Sequence, residues 1–389
     1  MPELPAKGSR QPVQMLDFRR EFSAIRNEVL EAITDVCDSQ QFILGPQVER
    51  FEQAAAQACG VPFAKGCASG TDALWLALAA LRIGPGDAVV TTPFSFYATV
   101  SSILRAGAVP VLADIDPLTY NLSPAAVEER LKQSPVGASR IAAVMPVHLY
   151  GQCAEMDAFA ALAKQYDVKI VEDAAQAFGA SWNGVRAGGL GDAAAFSFYP
   201  TKNLAAMGDA GMVTTRSAET DERVRMLRTH GMRKRYFHDE IGWNARMDSI
   251  QAAVLEVKLK RVDAGNARRR EIAALYDRLF REAALVEEAN GVVLPWTDPR
   301  AEHVFHQYVI RAPRRDQLRA FLSEEGVGSE IYYPLPLHEQ ESLAFLGYKR
   351  GDFPESERAA AEVLALPIYP ELREDEVETA VDAIRRFYA

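Results

Sequence analysis

The sequence predicts an α/β protein with a mainly parallel sheet, followed by a smaller α+β domain. Three observations lead to this. From about residue 60 to 215, short apolar runs alternate with helical stretches. At 389 residues the chain exceeds the usual size of a single hydrophobic core. Beyond residue 262 the pattern changes to helices mixed with isolated strand candidates.

The runs DAVVTTP, VPVLADI, RIAAVMPVHL and VKIVEDA are short and rich in Val and Ile, as buried strands require. Between them lie TDALWLALAALRI, SFYATVSSILRAG, SPAAVEERLKQ and EMDAFAALAKQY, with apolar residues at helical spacing. Strands and helices of these lengths in alternation spell βαβ units. AAAFSFY and GMVTT add two further strands. RMDSIQAAVLEVKLKRVD reads as one long amphipathic helix, with Met247, Ile250, Val254 and Val257 on one face. RRREIAALYDRLFREA continues as helix, and FHQYVIRA is a strand of the second domain. The division is placed at residue 262, giving a large domain over 1–262 with the N-terminal segment and a small one over 263–389.

Composition narrows the class. Lys and Arg number 43 against 53 Asp and Glu, a net charge of −10. That balance argues against nucleic-acid binding, which needs a basic footprint. The four cysteines, Cys37, Cys59, Cys67 and Cys153, show neither CxxC nor metal-ligand spacing, so no metal is expected. Scattered thiols in a chain of this length indicate a reducing, cytoplasmic setting. The opening MPELPAKGSRQPVQ has no apolar core of a signal peptide, and no run approaches ~18 apolar residues, so no membrane span is expected.

Three features carry chemistry. CASGTDALWLAL places small residues and Thr71 at the opening of a helix, where free amides and the dipole favour an anion. Gly70 permits close backbone approach, although an ordinary helix cap would look the same. In VKIVEDAAQAFGA, Asp173 ends an apolar strand, at the edge where open α/β sheets place ligands. A carboxylate there can hold a pyridine nitrogen protonated, or simply cap a helix. In AAAFSFYPTKNL, Lys202 follows a buried strand. Lysines are mostly solvated, but a desolvated one has a lowered pKa and an amine able to form a Schiff base. The two residues lie 29 positions apart, room for one intervening strand.

Phosphate cradle, ring carboxylate and reactive lysine in this order make the chain resemble the DegT/StrS-type family of pyridoxal-phosphate (PLP)-dependent nucleotide-sugar aminotransferases, a fold-type I group. The resemblance runs from FILGPQVERFE through ASGTDAL, PVHLYGQ, VEDAAQAFGA, FSFYPTKNL, GWNARMDSIQAA and YYPLPLH to LPIYPEL. It implies a seven-stranded, mostly parallel sheet in a PLP-binding large domain, a smaller C-terminal domain, and a homodimer with shared active sites.

By the same resemblance, Lys202 forms the Schiff base and Asp173 faces the ring nitrogen. Gly70, Thr71 and Ser197 would hold the phosphate, Phe96 (or Phe94) would stack on the ring, and Gln176 would contact its face or hydroxyl. Asn244 would reach the cofactor phosphate of the neighbouring subunit. Ala210 stands where the family often has a second glycine. Arg228, Arg233, Lys234, Arg235, Tyr236 and Phe237 form a basic, aromatic loop suited to a nucleotide diphosphate, or merely a solvated one. Tyr333 and His338 in YYPLPLH are expected near the sugar, and His148 either near the ring or in the core.

The reaction implied moves an amino group from an amino acid, by family expectation glutamate, to a nucleotide-linked ketosugar. The product is an aminosugar for polysaccharide, glycan or antibiotic biosynthesis. The family's dehydratase branch replaces the lysine with histidine, so Lys202 favours transamination. A sugar dehydratase or lyase, and a non-catalytic regulator binding PLP or a nucleotide sugar, are the alternatives. A nicotinamide enzyme is disfavoured because no GxGxxG follows the first strand.

Overall fold

The computed structural model describes residues 12–133, 135–286 and 291–389. Most of the opening segment read above, through residue 11, lies outside the described residues.

The alternating stretch forms a seven-stranded sheet. In spatial order its strands are Phe63–Cys67, Gly211–Thr215, Ala193–Ser197, Lys169–Asp173, Arg140–Val144, Asp87–Thr91 and Val109–Leu112. The last five pair in parallel, while Gly211–Thr215 runs antiparallel to both of its neighbours. Side chains alternate across the sheet, so neighbouring residues enter opposite cores. Val90, Val144, Ile170 and Phe196 meet Phe51 and Phe159 on one face. Val89, Ala143, Val171 and Ala195 meet Leu74, Ile103 and Leu227 on the other. A sheet covered on both faces explains why its strands read as unbroken apolar runs.

Two expectations need correction. The strand Phe63–Cys67 was not read from sequence, because Lys65 and Gly66 are poor strand formers. Its pairing with all five residues of Gly211–Thr215 supplies what local propensity lacks. The long helix expected from Arg246 begins instead at Ser249 and ends at Leu259. Arg246 bridges to Cys67 and Asp248 to Ile43, and those pairings hold this stretch extended. The Ser249 hydroxyl then accepts from the Gly45 amide at 3.0 Å.

A second core lies around the antiparallel pair Tyr308–Arg311 and Val363–Leu366. The helices Arg315–Glu324 and Glu374–Tyr388 contribute Leu318, Leu322, Val377 and Ile384 to it. The helix Val262–Glu282 links the two cores: Val262 packs in the first, while Ile272, Tyr276 and Phe280 pack in the second. Val13, near the start of the described residues, also joins the second core and bridges to Val327.

Beneath the carboxyl ends of the strands sits Glu172, fully buried. Its carboxylate accepts from the Gly188, Leu190 and Gly191 amides, each at 2.8 Å, and contacts His148 Nε2 at 3.0 Å. The Ala154 amide donates to His148 Nδ1, so Nε2 carries the hydrogen. The His148 amide in turn donates to the Asp173 carbonyl at 3.0 Å. This network ties the Gly188–Gly191 loop to the strand that carries Asp173, and it places His148 in the core.

Glu172→Gln turns an amide donor toward donors already in place. It should cost about 1.5–3 kcal/mol of unfolding free energy, the scale of a lost charge-assisted hydrogen bond. Urea unfolding of the full chain measures this as a lower midpoint with unchanged slope.

Candidate active site

Three strand ends meet in register where the sheet turns over. Cys67, Gly211 and Ser197 lie side by side across the antiparallel strand. The Ser69–Gly70 turn crosses directly above Gly211: a Cβ there would lie 2.2 Å from the Ser69 carbonyl oxygen. A Cβ on Gly70 would lie 2.5 Å from that of Ser197. Both glycines are thus required by close backbone approach. The helix Gly70–Ala80 starts here with Ser69 as its cap, the hydroxyl accepting from the Asp72 amide. Its Gly70 and Thr71 amides have no intrahelical acceptor. Asp72, which would repel an anion, is held by the Ser69 hydroxyl at 3.0 Å and by Arg105 at 2.5 Å. Ala210, the departure from the family pattern, is buried, and its carbonyl accepts from Phe198 at 2.8 Å.

This turn borders a cavity of about 640 Å³. Gly70, Thr71, Phe96, Asp173, Gln176, Ser197, Lys202 and Tyr333 all line it. The fold therefore brings together eight of the residues singled out in the sequence. Phe94 lies behind the wall, fully buried and edge-on to Tyr333.

The electrostatics of the cavity centre on two groups. Burial pushes the Asp173 carboxyl above its usual range. Hydrogen bonds from Thr99 Oγ1 at 2.7 Å and the Ala175 amide at 3.3 Å pull it back, as do Lys202 and His148. Lys202 shows the opposite shift: desolvation lowers its amine from 10.5 to about 8, against the pull of Asp173. Gln176 is fixed at both ends, its carbonyl accepting from the Tyr150 amide at 2.7 Å and its amide donating to the Tyr333 hydroxyl at 3.1 Å.

Four other candidates do not reach this cavity within the chain. Asn244 is exposed and accepts from Arg246 Nε at 3.0 Å. Arg235 and Tyr236 sit at the exposed turn between the paired strands Met232–Lys234 and Phe237–His238, the guanidinium 5.0 Å from the Tyr236 ring centre. His338 is buried, with Nε2 3.1 Å from Glu357 and its ring against Phe353. It anchors the YYPLPLH segment and is not among the residues lining the cavity.

Other lining residues were missed in the sequence. Thr99 lies in the first turn of the helix Ala98–Arg105 and Ser95 in the bend before it, where no local pattern marks them. His306, Gln307 and Tyr332 arrive from beyond residue 300 and carry no local signal. The Asn203 amide donates to Asn266 and to the Val304 carbonyl, which leaves its oxygen to accept from His306 Nδ1 at 3.2 Å. Burial, with Lys202 and Arg269 nearby, holds His306 neutral with Nε2 as its acceptor.

The DegT/DnrJ/EryC1/StrS aminotransferase family matches residues 23–385. The chain belongs to this family. A "Pleiotropic regulatory protein" of Geobacillus stearothermophilus is 46% identical, over 97% of this chain and 98% of that one. The UDP-N-acetyl-3-dehydro-alpha-D-glucosamine 3-aminotransferase of Acidithiobacillus ferrooxidans is 41% identical, over 96% and 97%. DesV of S. venezuelae, solved in complex with a ketimine intermediate, superposes with a TM-score of 0.91 at 40% identity, over 97% of this chain and 99% of that one. NtdA of Bacillus subtilis, solved with bound pyridoxamine phosphate (PMP), gives 0.86 at 29% identity, over 97% and 86%. The mostly parallel seven-stranded sheet expected from the sequence is the fold of these aminotransferases.

The residues present fit the family's PLP. A tight glycine turn with free amides suits its phosphate, a buried carboxylate suits its ring nitrogen, and a desolvated amine suits its aldehyde. Gly211→Ala should therefore weaken PLP binding sharply in a fluorescence titration, whereas Ala210→Gly should leave it close to wild type. The Lys202 amine should also titrate early. As pH rises through about 8 its neutral fraction, and with it labelling of Lys202 by an amine reagent in the cofactor-free protein, should increase. An ordinary surface lysine would show this only near about 10.4. Mass spectrometry of the labelled peptide measures the midpoint.

Proposed function

We propose that this DegT-family protein is a PLP-dependent aminotransferase that carries an amino group from an amino acid to the keto carbon of a nucleotide-linked sugar. One observation carries the reading: a lysine amine lowered to about 8 and a buried carboxylate share a cavity with a helix N-terminus. When bound, the cofactor supplies an electron sink for the charge left by proton removal beside the transferred nitrogen.

The chain's own residues divide the remaining work. Gly70, Thr71 and Ser197 hold the phosphate through two amides and a hydroxyl. Asp173 holds a proton on the ring nitrogen, while Phe96 and Gln176 set the plane of the ring. Lys202 would hold the cofactor's aldehyde carbon through its amine, with release of water. Once free, its Nζ takes the α-proton of the donor, and in the second half-reaction delivers a proton to the sugar carbon that receives nitrogen. A pKa of about 8 suits a group that must both accept and donate near neutral pH. Glutamate is the donor we assign on family grounds.

Tyr333 meets the sugar from within the chain. Asn244, Arg235 and Tyr236 act in this reading across a homodimer, reaching the cavity of a second copy. Exposed apolar side chains support such an interface: Tyr236 is 76% exposed, Phe237 62% and Ile241 83%, beside the segment that carries Asn244. Among the described residues no helix is long and apolar enough to cross a membrane. We keep the division near residue 262, with the cavity built mainly from the first part and completed by His306, Gln307, Tyr332 and Tyr333 from the second.

A second reading follows from the Geobacillus relative's name: a regulator that binds the cofactor without turnover. Such a protein needs no desolvated amine, so Lys202 favours the enzyme. The full chain incubated with PLP should turn yellow, and borohydride should fix the cofactor on Lys202. Loaded with PMP and mixed with UDP- or dTDP-linked 3- or 4-ketosugars, it should return the PLP spectrum and yield an aminosugar. Lys202→Ala should abolish this. Cofactor binding without amine transfer to any of them would support the regulator, and loss of water without amine transfer would make the protein a dehydratase.

A further inference from the structure

Ser95, three residues before the helix Ala98–Arg105, and Thr99 within it are both buried and line the cavity. Their hydroxyls are 2.8 Å apart, and Thr99 Oγ1 lies 2.7 Å from Asp173 Oδ2. An ionised carboxylate has no hydrogen to offer, so Thr99 must donate to Asp173. Its single hydrogen is then committed, and the contact with Ser95 is made only if Ser95 donates to Thr99. The hydrogen bonds therefore run one way, from Ser95 to Thr99 to Asp173, and each polarises the next. The other carboxylate oxygen, Oδ1, takes the longer bond of 3.3 Å from the Ala175 amide. The strong donor thus occupies one oxygen and leaves the other more open.

We infer that Thr99, fed by Ser95, is a positioning residue that keeps Asp173 ionised and decides which of its oxygens faces the cofactor ring. The inference rests on the reading of Asp173 as partner of the ring nitrogen and adds to it. Burial alone disfavours the charged carboxylate. Without an internal donor, burial would favour the neutral acid more strongly, and a neutral acid has first to lose its proton before it can accept from a ring N–H. With the donor in place, the charged form is favoured and its direction set before the cofactor arrives, so binding costs less reorganisation. The other ionisable groups facing Asp173 are Lys202, His148 and Tyr333, and none of them is altered by changes at Thr99.

The test uses PMP, which binds without a covalent link to Lys202, and compares variants of the full chain by fluorescence titration across pH. Thr99→Val keeps the shape and removes the hydroxyl. It should weaken PMP binding about 10- to 100-fold, the range for a hydrogen bond to a charged group. The sign of the pH effect follows from Asp173. Loss of the donor raises its pKa in the empty site, so the acid-side fall in affinity should move to higher pH. Thr99→Ser, which restores the hydroxyl, should return both affinity and pH profile toward wild type. Ser95→Ala should give a smaller loss in the same direction, and carries the test alone if Thr99→Val does not fold.

Thr99→Val with wild-type affinity and pH profile would overturn the inference. So would a loss equal at every pH that Thr99→Ser fails to restore, since that pattern reports packing. Wild-type protein that binds no PMP would instead defeat the cofactor reading itself, so the two failures are told apart.

Discussion

Gly211 has no side chain, and the Ser69–Gly70 turn fills the space where one would stand. Much of the site's geometry follows from that contact. The turn can lie flat on the sheet only because the antiparallel strand offers bare backbone there. Lying flat, it brings the first amides of the helix Gly70–Ala80 beside Ser197, which the strand register has already placed next to Gly211. The helix dipole and the free amides then point at one spot, the usual basis of an anion site. Asp72 would oppose this from the first turn of the helix. Arg105 draws it aside, and the guanidinium is itself seated 4.7 Å from the Trp75 ring centre. The candidate anion site is therefore a consequence of sheet register with one local charge neutralised.

The same enclosure that shapes the cradle tunes the two reactive groups. Taking water away raises an acid and lowers an amine, so one cavity shifts Asp173 and Lys202 toward each other from opposite ends of the pH scale. Neither moves all the way, because each partly supplies the counter-charge that the other lost with solvent. Lys202 stops at about 8, close enough to neutrality to serve as base and as acid. Asp173 is kept ionisable by hydroxyl and amide donors. A cation on the ring nitrogen would lower it further by the same electrostatics, so cofactor and carboxylate stabilise each other's charged forms.

What could be read in the sequence follows from how local each signal is. Asp173 ends an apolar strand and Lys202 lies in the turn just beyond another, and the sheet places such ends along one edge, so position in the pattern singled them out. Gly70 and Thr71 open a helix, again a local signal. His306 and Gln307 follow no such rule, because they enter from the second core through contacts that no window of sequence contains. His338 stands beside the same prolines and aromatics as Tyr333, yet only Tyr333 lines the cavity, while Glu357 and Phe353 hold the histidine. The strand Phe63–Cys67 was lost for a related reason. Its Lys and Gly are made strand only by a neighbour far along the chain, Gly66 pairing with Met212 and Lys65 with Val213.

This difference also explains why the reaction is easier to read than the substrate. The groups proposed to hold the cofactor sit at or just beyond strand ends and at a helix start, where the sheet fixes them whatever the surrounding loops become. The residues that would choose among sugars lie on the hairpin around Tyr236, near Asn244, and on the segment through Tyr333. Loops of this kind tolerate change without cost to the core. A family built this way can keep one amine-transfer site while its members diverge in the sugar they accept, because substitutions at the mouth leave the Ser197–Gly211–Cys67 register untouched. On the proposed reading, specificity would rest with the hairpin and the second copy it meets, and the chemistry with the sheet.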